Sequence, residues 1–325
     1  MTRIPLPPAA VLSQNGVLAG SVYGPDLSLL NLASASLASV TLPHEARLLA
    51  FSPRGTYLAV AGGQHVTLLR PEPPYPVLGT VAIPAPLFRL AVAEEGTVVG
   101  VLNFGGERTT LGVWRGAELR ADFVGEGTPL GRSAPFQLLL DGARERVLLA
   151  GVRGPSAFSG GGERFIALLS LEAGQVAVSW KGEGLPFPPE RFLFPLADGR
   201  LGVTAGSELA VVALPPEVAE SRVISRVGLP DLEKVAASPG GAYLAVLNGM
   251  GPDTESRVRL ARLDGEILGE APFRGLGSFP ALAVGDAGRV AIVSSERPNR
   301  LRALWLINGK LEERMTAEVA AEETV

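Results

Sequence analysis

The sequence predicts an all-β chain folded as a seven-bladed β-propeller of four-stranded antiparallel blades, and three observations carry that expectation. First, Ser52-Pro53-Arg54-Gly55-Thr56-Tyr57-Leu58-Ala59-Val60 returns as Ser238-Pro239-Gly240-Gly241-Ala242-Tyr243-Leu244-Ala245-Val246, identical at seven of nine positions. Second, the offset of 186 residues equals four units of 46.5, and 325 residues hold about seven such units. Third, an apolar strand broken by a Gly turn and followed at once by another recurs at Gly16, Gly55, Gly96, Gly142, Gly199, Gly241 and Gly288, with spacings of 39 to 57 residues.

The elements follow in order along the chain. Runs at 17–22, 47–51, 98–102, 137–140, 147–152, 209–212 and 290–293 have the length and β-branched content of buried strands, and sustained helical periodicity is nearly absent. Asn15-Gly16, Asp141-Gly142, Asp198-Gly199 and Asp264-Gly265 supply the positive φ that tight hairpins require. The second unit shows its four strands most openly, at 46–51, 57–61, 66–69 and 77–83. A lone four-stranded sheet leaves two faces and an edge uncovered, so units of this size must stack, and radial closure is the common solution. The blades are placed at 8–42, 45–84, 88–126, 135–183, 191–230, 232–275 and 279–320 in a single domain, with a flexible acidic tail at 321–325.

Ring closure has two readings. Either the first and last sheets meet through side chains alone, or Thr2-Arg3-Ile4 adds to the last sheet as a clasp that Pro5, Pro7 and Pro8 keep short. The stretch 311–319 fits a helical face and a strand face equally; the repeat needs a strand there.

Here a resemblance enters. Phe51-Ser52-Pro53-Arg54-Gly55-Thr56-Tyr57-Leu58-Ala59 resembles the F-S-P-x-G-x-x-L-A hairpin found across WD-repeat, TolB-like and lactonase-like propellers, and 237–245 is a second copy. No unit carries a Gly-His pair in the matching place, and no Trp-Asp dipeptide occurs. The resemblance implies the fold, and the fold hosts many unrelated functions.

Composition narrows the function classes. The net charge of −4, from 33 acidic against 29 basic residues, offers no broad cationic surface, so nucleic acid is not an expected partner. No uninterrupted apolar span reaches about 20 residues, and residues 1–10, with one Arg and three prolines, do not resemble a signal peptide. No membrane partner is expected, and the absence of Cys fits a cytoplasmic location. Arginine supplies 26 of the 29 basic residues, and only six Asn and four Gln occur; this composition fits a thermostable bacterial protein from a GC-rich genome.

Chemistry is sparse. The two histidines, His44 in a blade linker and His65 in a tight turn, have no metal-ligand spacing and read as surface residues. No nucleophile elbow, Walker loop or dinucleotide fingerprint appears, so no catalytic residue, metal or cofactor is assigned. Trp114, Trp180 and Trp305 fall in strands and are expected to fill the wedges between blades. Asn248 with Asp253, Thr254 and Glu255 is a minor candidate for calcium, and its spacing matches no established loop.

Binding residues are sought instead on long connections between second and third strands, at 103–109, 153–163, 248–255 and 294–300, which share one face with the blade linkers. The candidates are Phe104, Phe158 and Phe187 as apolar anchors, with Arg108, Arg153, Arg297 and Arg300 as orienting charges. Arg132 sits in a linker on the same rim, and Arg302 extends the basic cluster around Arg297 and Arg300. The Gly-rich 153–163 segment reads equally as an insertion that contacts nothing. The expected function is a non-enzymatic platform for another protein. The alternatives are a propeller hydrolase or lactonase with carboxylates in the channel, and a structural component of a larger assembly.

Overall fold

The computed structural model describes residues 2–3, 11–104, 108–115, 120–126, 133–141, 146–153, 163–171, 177–180, 192–195, 200–205, 207–214, 222–229, 232–249, 255–274, 276, 281–294 and 299–319. They form seven sheets and, among the described residues, no helix. In chain order the strands are β1 (Thr2–Arg3), then β2 (Val11–Leu12), β3 (Leu18–Asn31) and β4 (Ser36–Ala46) in blade 1. Blade 2 holds β5 (Leu48–Phe51), β6 (Leu58–Gly62), β7 (His65–Leu69) and β8 (Val77–Ala82). Blade 3 holds β9 (Leu87–Val92), β10 (Val98–Phe104), β11 (Arg108–Arg115) and β12 (Arg120–Glu126). Blade 4 holds β13 (Ser133–Asp141), β14 (Arg146–Arg153), β15 (Glu163–Ser170) and β16 (Ala177–Trp180). Blade 5 holds β17 (Phe192–Pro195), β18 (Leu201–Ala205), β19 (Glu208–Ala213) and β20 (Arg222–Gly228). Blade 6 holds β21 (Lys234–Ala237), β22 (Tyr243–Asn248), β23 (Ser256–Arg262) and β24 (Ile267–Phe273). Blade 7 holds β25 (Ala281–Val284), β26 (Val290–Val293), β27 (Asn299–Ile307) and β28 (Lys310–Val319).

Two blades depart from the expected four strands. In blade 1 the 14-residue β3 doubles back, because the Leu32 N–H donates to the Val17 carbonyl at 2.8 Å and so joins its two ends. Gly24, with φ 57°, stands midway, and Gly24-Pro25 provides the two central residues of the reversal. Blade 7 gains a fifth strand: β1 lies parallel along β28, Thr2 opposite Ala317 and Arg3 opposite Glu318. The 311–319 stretch is a strand, as the repeat requires.

The repeated motif acts locally as a turn. In blade 2 the Ser52 N–H donates to the Tyr57 carbonyl, the Gly55 N–H to the Ser52 carbonyl, and the Tyr57 N–H to Ser52 Oγ at 3.1 Å. In blade 6 the buried Ser238 hydroxyl accepts the N–H groups of Ala242 and Tyr243 at 3.1 and 3.2 Å. The same backbone pair of bonds closes the turns at Ser13, Ala93 and Gly285, each with a glycine of positive φ at its fourth position. The turns also hold one blade to the next: the Arg54 N–H donates to Glu94 Oε1, and the Gly240 N–H to Asp286 Oδ1 at 2.7 Å.

Second and third strands are buried on both faces because each is sandwiched between neighbouring blades. β6 is buried from Leu58 to Ala61, and all of β26 is buried. Their side chains form seven apolar clusters, one for each interface around the ring. Burying one Leu such as Leu58 or Leu68 is worth about 1.5–3 kcal/mol. The closing interface joins Ala19, Leu30 and Leu32 of blade 1 to Val293, Leu301 and Ala317 of blade 7. Closure therefore follows the second reading, the β1 clasp, which adds to the side-chain packing instead of leaving it alone. Trp114 is buried between blades 2 and 3, where Gly100 and Gly112 face each other across the ladder and leave room for its indole.

Candidate functional site

The first strands of the blades are innermost, and β2, β5, β9, β13, β21 and β25 surround a central cavity of about 400 Å³. The chain leaves each first strand by a short turn on one end of the ring, the turn face. Second-to-third connections and blade linkers share the other end, the loop face.

On the loop face the connections are unequal, as the sequence suggests, with 103–109 shorter than expected. Phe104 and Arg108 pair directly at the ends of β10 and β11, as do Asn103 and Thr109, so the ladder absorbs most of 103–109. Arg153 pairs with Glu163 at the mouth of the longest connection. In blade 2 Gly62 pairs with His65, and in blade 5 Ala205 pairs with Glu208, leaving two-residue turns. The ring order puts Phe104, Arg108 and Arg153 on adjacent blades 3 and 4, with Arg300 on blade 7 across the ring. Phe158, Phe187, Arg297 and Arg132 lie outside the described residues.

Arg300 stands at the loop-face end of β27, beside the closure. Its N–H donates to Ser294 Oγ at 2.7 Å, and it stands opposite Glu318, which in turn stands opposite Arg3. Its Nε is buried with no hydrogen-bond partner among the described residues. The basic cluster read from sequence is divided: the Arg302 guanidinium lies over the Phe273 ring of blade 6, 5.0 Å from the centroid, with Glu313 at 3.9 Å. Its side chain is only 15% exposed, which withdraws it from an arriving carboxylate.

The calcium reading loses two of its oxygens. Asn248 is buried and its Oδ1 accepts the Arg257 N–H at 3.1 Å, while Glu255 faces the Arg257 guanidinium at 3.9 Å. Among the described residues no group of three or more His, Asp or Glu side chains converges on one point.

The two histidines, 21 residues apart in sequence, stack in the fold, with ring centroids 5.3 Å apart and planes at 22°. His44 Nδ1 lies 2.7 Å from the Glu45 carbonyl, so Nδ1 carries the hydrogen and donates. His44 Nε2 meets the buried Thr67 hydroxyl at 2.8 Å, and Thr67 meets Thr80 at 2.8 Å. His44 is thus not in a blade linker, as read from sequence, but on β4, and this chain of bonds fastens that outer strand of blade 1 to blade 2. The 21-residue separation carried no recognisable signal for it.

The described side chains on the channel wall are mainly apolar, while the free edges of the innermost strands bring backbone N–H and C=O groups to it. Leu12, Leu49, Phe51, Leu90, Leu139 and Leu282 lie on its wall, and among the described lining residues Gln14 alone is polar. Gln14 Nε2 donates to the Ala237 carbonyl at 2.9 Å, reaching from blade 1 past blade 7 to blade 6 at the turn-face end. At the opposite end of β21 stands Lys234, whose amine burial pushes below its ordinary value.

A second recess of about 820 Å³ lies between blades 7 and 1, where half-buried Trp305 and Met315 face the Leu32 turn. The Arg289 guanidinium lies 5.8 Å from the Trp305 ring centroid. Trp305 is thus only partly the wedge filler expected; Trp180 has no described side chain.

No family model matches the chain, and no curated protein does. Solved structures do. KlHsv2 with loop 6CD replaced by a Gly-Ser linker is 12% identical, with a TM-score of 0.60 over 98% of this chain and 100% of the other. The Pseudomonas aeruginosa periplasmic gluconolactonase PpgL is 16% identical, with a TM-score of 0.57 over 93% and 94%. The β-propeller domain of Myceliophteria thermophila Cps50 (Swd1) is 13% identical, with a TM-score of 0.54 over 95% of each chain. The chain is a seven-bladed β-propeller, and at these identities the likeness extends to the fold alone.

Proposed function

We propose that this protein is a non-enzymatic docking platform, which binds another protein through the loop face. The observation that carries the reading is the channel wall. A hydrolase acting on a sugar or lactone needs carboxylates converging on the reacting centre, and the described wall is built from Leu, Val, Ala, Phe and Pro with Gln14 alone polar. A standard protein interface takes about 800 Å² from each partner, an area that the connections of several adjacent blades supply on a rigid ring.

Phe104, Phe158 and Phe187 serve as apolar anchors in this reading, with Arg108, Arg153, Arg297 and Arg300 setting orientation. The test is the simultaneous alanine variant of Phe104, Arg108, Arg153, Phe158, Phe187 and Arg297, compared with the unaltered chain by affinity isolation from the native host. Recovery of a specific partner should fall while the melting midpoint stays unchanged. Equal recovery of every co-purifying chain would remove the reading. Arg300 is left out of that variant because it stands at the clasp, where its loss would change stability as well as binding.

A further inference from the structure

We infer that the outer edge of blade 1, strand β4 from Ser36 to Thr41, pairs with the same edge of a second copy of this chain and joins two rings side by side. β4 is the last strand of its sheet, and among the described residues no strand lies along its outer side. A free edge presents a row of unpaired N–H and C=O groups to any strand that can lie flat against it.

The other six blades blunt this edge in one way. Each of their outer strands carries one extra residue in the ladder: Leu78, Asp122, Ser179, Ile224, Leu268 and Arg314. A bulge twists the strand and breaks the even row of groups that an arriving strand needs. The longest regular stretches left on those edges are 269–273 and 315–319, and β1 already lies on the second of them. β4 pairs with β3 without a shift from Ser36, opposite Asn31, to Thr41, opposite Asp26.

The residues on this edge select the partner. A strand that meets its own copy about a two-fold axis runs antiparallel to it, so a charge near the axis faces its like. Ser36-Leu37-Ala38-Ser39-Val40-Thr41 carries no charge, and neither do Leu42 and Pro43 beyond it. β28, by contrast, holds Glu312, Glu313 and Arg314 in succession. Apolar burial adds to the backbone bonds. Leu37 is 41% exposed and stands opposite Leu30 in the ladder, hence on the face towards blade 7, where the recess with Trp305 and Met315 opens. Every second side chain of an added strand falls on that same face. The edge lies on the side of the ring, so pairing leaves the loop face open, and the inference stands or falls separately from the docking reading.

Sedimentation equilibrium of the full chain tests it. The apparent mass should rise with concentration towards twice that of one chain. Ser39 is exposed near the middle of the regular stretch, so Ser39→Lys sets two like charges beside the axis and should weaken association at least tenfold while leaving the β-sheet circular dichroism unchanged. Ser39→Glu should do the same, and mixing the two variants should restore the double mass because opposite charges then meet. Ser225→Lys, at an exposed position on the bulged β20, should leave association intact. If the charge variants fail to fold, amide exchange of the unaltered chain decides, with residues 36–41 slowed as concentration rises. A single-chain mass at every concentration, association that Ser39→Lys leaves unchanged or that Ser225→Lys weakens equally, a mixture that does not reassociate, or exchange at 36–41 independent of concentration would each overturn the inference.

Discussion

The carbonyl of Asn15 occupies the place where a β-carbon on Gly285 would stand. Gly285 opens the inner turn of blade 7, and Asn15 lies in the corresponding turn of blade 1, so the two backbones touch at the seam where the ring closes. Neither partner is a flexible side chain able to move aside. Gly285→Ala should therefore part the seam and destabilise the protein by about 1–3 kcal/mol, as overpacking does. Gly228→Ala is the control, since nothing lies within 4 Å of its β-carbon position. Urea melts that fail to distinguish the two variants would contradict the close approach.

The inter-blade bond from the Gly240 N–H to Asp286 should be measurable in the same way. Asp286→Ala removes one acceptor at an exposed turn and should cost about 0.5–1.5 kcal/mol. Ser238→Ala leaves two N–H groups of a tight turn without their side-chain acceptor and should cost at least as much, because Ser238 is fully buried. Denaturant midpoints for both variants check the order.

Lys234 gives the protein a pH dependence of known sign. Burial lowers its amine below 10.5, so the unfolded chain keeps the proton to higher pH than the fold does. Between the lowered value and 10.5, stability then rises with pH, and at neutral pH the charged amine opposes folding. Lys234→Met keeps the unbranched stem without the charge. It should raise the melting midpoint at pH 7 and flatten its rise towards alkaline pH; a variant with an unchanged pH profile would show that the amine is not desolvated.

Much of this ring was legible in the sequence because strand alternation and Gly turns are local. The copies at Ser52 and Ser238 fixed the repeat length, and the glycines at 16, 55, 96, 241 and 288 all adopt positive φ. The turns at Ala93 and Gly285 lack the Ser-Pro pair and were legible only through Gly96 and Gly288 at their fourth positions. Long-range meetings were less legible. His44 and His65 stack, Gln14 reaches Ala237 from 223 residues away, and Arg302 turns under Phe273, each through packing between elements whose register no local pattern encodes. The blade 1 reversal at Gly24-Pro25 had a local cue in those two residues, yet it is hidden in a continuous extended run.

The scarcity of Asn and Gln, the absence of Cys and the 27 prolines lead to a further expectation. The melting midpoint should exceed roughly 60 °C, above most mesophile domains. Differential scanning calorimetry measures it directly, and a lower midpoint would remove the reading of heat adaptation.

The central claim is that the loop face meets a protein partner, and amide hydrogen exchange on the complex isolated from the native host tests it most directly. The account predicts slowed exchange on binding in segments 103–109, 153–163 and 181–191, with the inner turns at 13–16, 52–55, 238–241 and 285–288 unchanged. Protection confined to those inner turns, or to the outer strands β20 and β24, would contradict it.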